Sequence, residues 1–179
     1  MASEELGYRT RARLHVQNGT VGFFREGTHE LCDAAATRQL LPETIAALRR
    51  LEGDLKAAGI AGVTACDLAE NVQASERAVL LEIDPSHRVP LHVASVAGIS
   101  GVQFIDRESR LTVGYGSPYV TDRIDISGAP MSLTHHVQSF FQGNRFLLSH
   151  LASRVLEQVP GGQVAELYAG VGLFAVALA

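Results

Sequence analysis

Cysteine and lysine are both scarce in this chain of 179 residues. Cys32 and Cys66 are the two cysteines, too few for a disulfide framework or an all-cysteine zinc site. Of 15 basic residues only Lys56 is a lysine, and the formal net charge is −4. That balance excludes a globally basic nucleic-acid binder but leaves room for a local arginine patch. No apolar run approaches the ~20 residues of a membrane span. The start, Met1-Ala2-Ser3-Glu4-Glu5, lacks the basic and then apolar pattern of a signal peptide. Charged residues make up 19% and apolar residues 46%, which gives a real core and argues against disorder away from the ends. The length suits one ordinary domain or two small ones. A soluble, reduced, cytoplasmic protein with no membrane partner is expected.

What is present begins with alternation. Tyr8, Thr10, Ala12, Leu14 and Val16 fall on one strand face, and Arg9, Arg11, Arg13 and His15 on the other. Asn18-Gly19 is a hairpin signal, Val21 to Phe24 the return strand, and residues 29–32 a third strand. Pro42 opens a helix with Ile45, Leu48, Leu51, Leu55 and Ala58 at helical spacing and Gly59 as its stop. Residues 62–68 and 78–83 read as strands joined by a polar turn near Ala74 and Ser75. A short helix is expected at 92–97, a hairpin from 102–105 and 110–113, and a last strand at 131–137 after Gly128-Ala129-Pro130. Residues 1–137 therefore read as an antiparallel α+β domain.

The pattern then changes. Asn144 can cap a helix running to about Gln158, ended by Pro160-Gly161-Gly162. Residues 163–168 read as a short apolar strand, Gly170-Val171-Gly172 as a tight turn, and Phe174 onward as a helix. Helix, strand, glycine turn and helix open a parallel α/β sheet, which needs further βα units beyond residues 138–179. The segment is expected to be the beginning of a domain, with an apolar surface hidden by self-association or left disordered.

A glycine turn between strand and helix lets a ligand approach the backbone. Gly170-x-Gly172-x-x-Ala175 matches the dinucleotide fingerprint, which would make the chain a nicotinamide-dependent dehydrogenase fragment. The run from Glu166 to Gly172 equally matches a methyltransferase pattern, with an acid four positions before the first glycine. Either match alone is also compatible with a tight turn that binds nothing.

Upstream residues separate the two. Phe140-Phe141-Gln142-Gly143-Asn144, one helix, then Glu166-Leu167-Tyr168-Ala169-Gly170-Val171-Gly172 resembles the S-adenosylmethionine site of the RNA uracil-5-methyltransferases. That family has Phe-x-Gln-x-Asn followed by Asp-Leu-Tyr-Cys-Gly-x-Gly. Gly7-Tyr8-Arg9-Thr10-Arg11-Ala12-Arg13 resembles its Gly-Tyr-Arg-Asn-Arg-Ala strand. Gly22-Phe23-Phe24-Arg25 with Glu30-Leu31-Cys32-Asp33 resembles its next hairpin. The resemblance covers nearly the whole chain and leaves out the family's small N-terminal RNA-binding barrel.

The resemblance implies an antiparallel α+β central domain, residues 1–137, followed by the start of a Rossmann-like α/β methyltransferase domain, residues 138–179. It implies S-adenosylmethionine held by Gln142, Glu166, Tyr168, Gly170, Gly172 and Leu173, and a ribosomal or transfer RNA partner. Arg9, Arg11 and Arg13 are the phosphate-contact candidates, a solvated charged face being the alternative. Two residues depart from the family pattern: Glu166 replaces Asp and Ala169 replaces Cys. Thr37 stands near the fourth cysteine of members that hold an iron–sulfur cluster, and no Cys-x-x-Cys precedes it, so no cluster is expected.

Carbon 5 of uracil becomes nucleophilic when a cysteine thiolate adds to carbon 6, and a base later removes the carbon 5 proton. In the resembled family both groups lie further along the methyltransferase domain. Cys32 and Cys66 read as bystander thiols. No catalytic residue is expected in this chain and methyl transfer by it alone is not expected. A non-enzymatic RNA-binding module is the competing reading. His135-His136 looks like a metal pair, but adjacent strand residues face opposite ways, so no metal site is expected.

Overall fold

The computed structural model describes residues 3–88, 90, 95–106, 108, 112–159 and 161–179. Two strands, β1 (Arg11–Gln17) and β2 (Thr20–Phe24), form the first hairpin. Asn18 and Gly19 turn it with φ of 52° and 74°, the left-handed pair that a two-residue hairpin needs. β3 (Leu31–Asp33) and a single-turn helix, α1 (Ala34–Thr37), follow. Helix α2 (Pro42–Ala57) starts at the proline and buries Thr44, Ala47, Leu48 and Leu51 on one face. β4 (Val63–Glu70), β5 (Arg77–Ile83), β6 (Gly101–Asp106) and β7 (Thr112–Gly116) complete a seven-stranded sheet of order β3-β2-β1-β4-β5-β6-β7.

The sheet is mixed, which corrects the antiparallel expectation: β5 and β6 run parallel while the other neighbours are antiparallel. The chain between Ile83 and Gly101 is long enough for the crossover a parallel pair requires. Part of the helix expected at 92–97 lies outside the described residues, and residues 95–97 are not helical.

A second hairpin, β8 (Tyr119–Ile126) and β9 (Ala129–His136), forms its own two-stranded sheet. β8 is not among the strands expected from the sequence, although Val120, Asp122, Ile124 and Ile126 alternate inward along it. Asp122 interrupts the apolar series, and its burial depends on a partner that the sequence pattern does not display.

Each sheet face has its own layer. Leu14, Cys66, Leu68, Leu81 and Phe104 pack with Leu48 and Leu51 of α2 in the main core. On the opposite face Ala69, Ala78 and Leu80 meet Val120 and Val137 of the second hairpin region. The hairpin's far end joins Ile124, Ile126 and Leu133 to Phe141, to Leu148 and Ala152 of helix α3 (Leu148–Leu156), and to Leu173 of helix α4 (Leu173–Leu178).

Two expectations near the C-terminus are corrected. Helix α3 starts at Leu148 rather than after Asn144. Asn144 Oδ1 instead accepts from the N–H groups of Phe146 and Leu147, at 3.0 and 3.2 Å, and caps an intervening turn. Residues 163–168 are not a strand, because no neighbouring strand among the described residues hydrogen-bonds to them.

The two sides are locked through a buried carboxylate. Glu70 is 1% exposed; it meets Arg77 Nε at 2.5 Å and also binds Arg145 Nη2 and the Thr44 hydroxyl. Glu70→Gln leaves two buried guanidinium groups without a counter-charge. Chemical denaturation should show a loss of about 3–5 kcal/mol. A loss below about 1 kcal/mol would mean the charge is not needed.

Candidate functional site

Two sequence motifs far apart in the chain are brought together by backbone hydrogen bonds. Thr10 N–H donates to the Gly143 carbonyl and Arg145 N–H to the Tyr8 carbonyl, each at 2.9 Å. Arg9 and Asn144 form the bridge between them. The Thr10 hydroxyl, itself buried, also donates to the Gln142 carbonyl at 3.3 Å. The segment from Phe140 to Arg145 is therefore tied to the residues that lead into β1 through a single isolated bridge.

On one side of this segment lies the glycine turn. Gly170 and Gly172 have φ of 60° and 78°, and Gly172 N–H closes the turn on the Ala169 carbonyl at 2.8 Å. A Cβ at Gly170 would sit 3.4 Å from the Phe140 carbonyl oxygen, so the turn packs closely against the Phe140 backbone. Tyr168 also takes a left-handed φ, 57°, and its side chain is fully exposed. Glu166 Oε2 accepts from the Ala175 N–H at 2.7 Å, in the first turn of α4.

Gln142, Glu166, Tyr168 and Leu173 line one cleft here, with Phe140, Phe141 and Phe174. Gly170 and Gly172 shape its edge and do not line it. Its cavity is about 60 Å³. Small-molecule sites run to about 300–1,000 Å³, so this cleft by itself is too small to enclose such a ligand.

A larger cleft of about 340 Å³ lies on the other side of the same segment. Tyr8, Arg9, Arg11, Phe140, Phe141 and Gly143 line it. Arg9 Cζ lies 5.9 Å from the Tyr8 ring centroid and 5.7 Å from that of Phe23. Arg11 Nη2 donates to the Val137 carbonyl at 2.8 Å. The Nε–H groups of Arg9 and Arg11 are buried without an acceptor among the described residues. Desolvation lowers the Arg11 guanidinium from its ordinary value, with Asp67 acting the other way.

Arg13 behaves differently. Its guanidinium bonds to both Asp67 oxygens at 3.1 Å and to Glu82 at 2.7 Å, and lines neither cleft. The Glu82 hydrogen bond leads the causes that raise its pKa. Of the three strand arginines, the structure places two at the cleft and ties the third to carboxylates.

Sequence reasoning missed Phe141 as the wall shared by both clefts, and it missed Asp122 and Arg145. The buried His135 faces Asp122, whereas the half-buried His136 lies edge-on to Tyr119. Among the described residues no cluster of three or more His, Cys, Asp or Glu side chains could hold a metal. None of their helices is long and apolar enough to cross a membrane.

No protein-family model and no curated protein matches the chain. Among solved structures it is similar to the crystal structure of Pyrococcus abyssi tRNA (uracil-54, C5)-methyltransferase in complex with S-adenosyl-L-homocysteine. The TM-score is 0.77 at 20% identity, and the match covers 98% of this chain and 47% of that one. The chain thus spans about half the length of that structure and shares its fold over that span.

Neither thiol lines either cleft. Burial pushes the Cys66 thiol from 9.0 up to about 12. The fold favours its protonated form, so the associated stability is present below pH 9.0 and lost as pH rises to about 12. At about pH 8 a thiol-reactive dye should label the half-exposed Cys32 alone in the native protein, and both cysteines in denaturant. Native labelling of Cys66 would contradict this burial.

Proposed function

We propose that these residues form the RNA-facing sheet and the first cofactor motif of an S-adenosylmethionine-dependent RNA uracil-5-methyltransferase. The observation that carries the reading is the shared wall. Phe140 and Phe141 line both a cleft with Gln142, Glu166 and Tyr168 and a cleft with Arg9 and Arg11. A methyl donor and a methyl acceptor need such adjacent, separately recognised sites. The fold shared with a tRNA (uracil-54, C5)-methyltransferase in complex with S-adenosyl-L-homocysteine supports the same assignment.

The residues present fit the cofactor's chemistry. Glu166 offers carboxylate oxygens, Gln142 a primary amide, and Phe140 and Tyr168 exposed rings. When bound, S-adenosylmethionine supplies an electrophilic methyl group. Gln142 and the backbone from Tyr168 to Leu173 would hold it, with Gly170 and Gly172 admitting it closely. Arg9 and Arg11 orient an RNA strand through phosphate and base contacts. Half-exposed Phe23 and Tyr8 restrict where the Arg9 guanidinium can sit.

The thiolate and the base of uracil methylation are expected outside these residues. Cys66 is held protonated, and Cys32 lies on β3 away from both clefts. A tritiated-methyl assay on unmodified RNA with this chain alone should give no label at uridine carbon 5. Label above background would place Cys32 or Cys66 in a catalytic role.

Calorimetry with S-adenosylhomocysteine tests the cofactor cleft. Gln142→Ala should weaken binding about tenfold. Unchanged affinity, or preferred binding of NAD, would overturn the assignment. RNA titrations at several salt concentrations test the arginine cleft. Arg11→Gln should reduce affinity and flatten the salt dependence by about one unit of slope, whereas Arg13→Gln should leave both near wild type. Equal loss from both variants would refute the distinction.

A further inference from the structure

Asp122 and His135 line neither cleft, and methyl transfer between the two clefts gives them no task. Their side chains are 1% and 0% exposed on adjacent strands of the second hairpin. Asp122 Oδ1 accepts from the Val72 N–H at 2.6 Å, and Oδ2 faces His135 Nε2 at 2.9 Å. A carboxylate can only accept here, so Nε2 carries the ring proton. Nδ1, the other ring nitrogen, is buried without a partner among the described residues. The imidazole stacks on Phe141, with centroids 4.4 Å apart and planes 26° from parallel.

Hydrocarbon side chains would fill this space without burying a carboxylate or a bare ring nitrogen. What a hydrogen-bonded imidazole adds is a fixed ring plane. Asp122 is itself fixed by the Val72 backbone, and Val72 is held in turn by Arg145, whose Nη1 donates to the Val72 carbonyl at 3.0 Å. Phe141 is 5% exposed, and its neighbours Phe140 and Gln142 face the clefts.

We propose that Asp122 and His135 are positioning residues that set the Phe141 ring, and with it the Phe140–Gln142 wall between the two clefts. What the clefts bind rests on the proposed function; the placement of their wall does not.

The test replaces the seven phenylalanines with 4-fluorophenylalanine and follows them by fluorine NMR. Phe104, fully buried in the main core, is the internal reference. His135→Gln keeps a donor for Asp122 and removes the ring. The Phe140 and Phe141 resonances should shift and broaden while Phe104 stays in place. Unchanged Phe140 and Phe141, or all seven moving together, would overturn the proposal.

Asp122→Asn keeps the imidazole but offers it an amide donor. The ring proton should move to Nδ1, and Phe141 should shift less than in His135→Gln. A Phe141 shift as large as that in His135→Gln would overturn the proposal. If His135→Gln does not fold, a nitrogen-15 spectrum of the unsubstituted protein decides: a proton on Nε2 supports the claim, and a ring protonated on Nδ1 alone overturns it. Titration with S-adenosylhomocysteine keeps the two readings apart. No response of Phe140 in the unsubstituted protein refutes the cofactor cleft alone, because the ligand-free shifts decide the positioning. Where Phe140 responds, His135→Gln should weaken binding about tenfold, and unchanged binding would overturn the coupling of ring to wall.

Discussion

Glu70 is the point at which helix α2, strands β4 and β5 and the segment before α3 are held to one another. Its carboxylate sits at the end of β4 and takes Arg77 from β5, Arg145 from the segment before α3, and the Thr44 hydroxyl from α2. Two guanidinium groups on one carboxylate leave an excess positive charge in a dry place. That arrangement persists only with further acceptors, and the Val72 carbonyl, the Gly98 carbonyl and Thr44 Oγ1 provide them. Because Arg145 follows Asn144 directly, this anchor also fixes the register in which residues 140–145 meet the entry to β1. The clefts on either side of Phe140 and Phe141 inherit their geometry from it.

The layering explains why the second hairpin matters to the site. A seven-stranded sheet has two faces to cover, and α2 covers one. Val120 and Val137 begin to cover the other, and the hairpin continues beyond the sheet to meet α3 and α4. Helix α4 has six residues and buries Leu173, so packing rather than helix propensity holds it. Its glycine turn is consequently placed by contacts to Phe141, Leu148 and Ala152.

Local chemistry made much of this legible from sequence. Asn18-Gly19, Pro42, the β1 alternation and the glycine pair each dictate a backbone conformation, and each structure follows. Features that depend on distant partners did not show. Asp122 breaks the apolar series of β8 because its partner is His135, 13 residues away. The parallel pairing of β5 with β6 depends on a crossover rather than on either strand's pattern. Residues 163–168 have a strand's composition, but a strand also needs a neighbour to receive its hydrogen bonds. The site residues were recognisable as motifs, yet the bonding of Tyr8 and Thr10 to Gly143 and Arg145 is a tertiary fact.

Arginine rather than lysine has a physical reason at three of these positions. Sharing Glu70 between two cations, or holding a cation against Tyr8 and Phe23, suits a planar and weakly hydrated guanidinium better than a compact ammonium. Arg13 is matched by Asp67 and Glu82, Arg49 by Asp33 and Glu52, and Arg77 and Arg145 by Glu70. Arg9 and Arg11 have no such ion pair among the described residues; they rest on aromatic faces and a carbonyl. Two guanidinium groups without an ion pair among the described residues thus share one cleft wall. Partial burial reduces the solvent screening of that charge, which strengthens its pull on an anion entering the cleft.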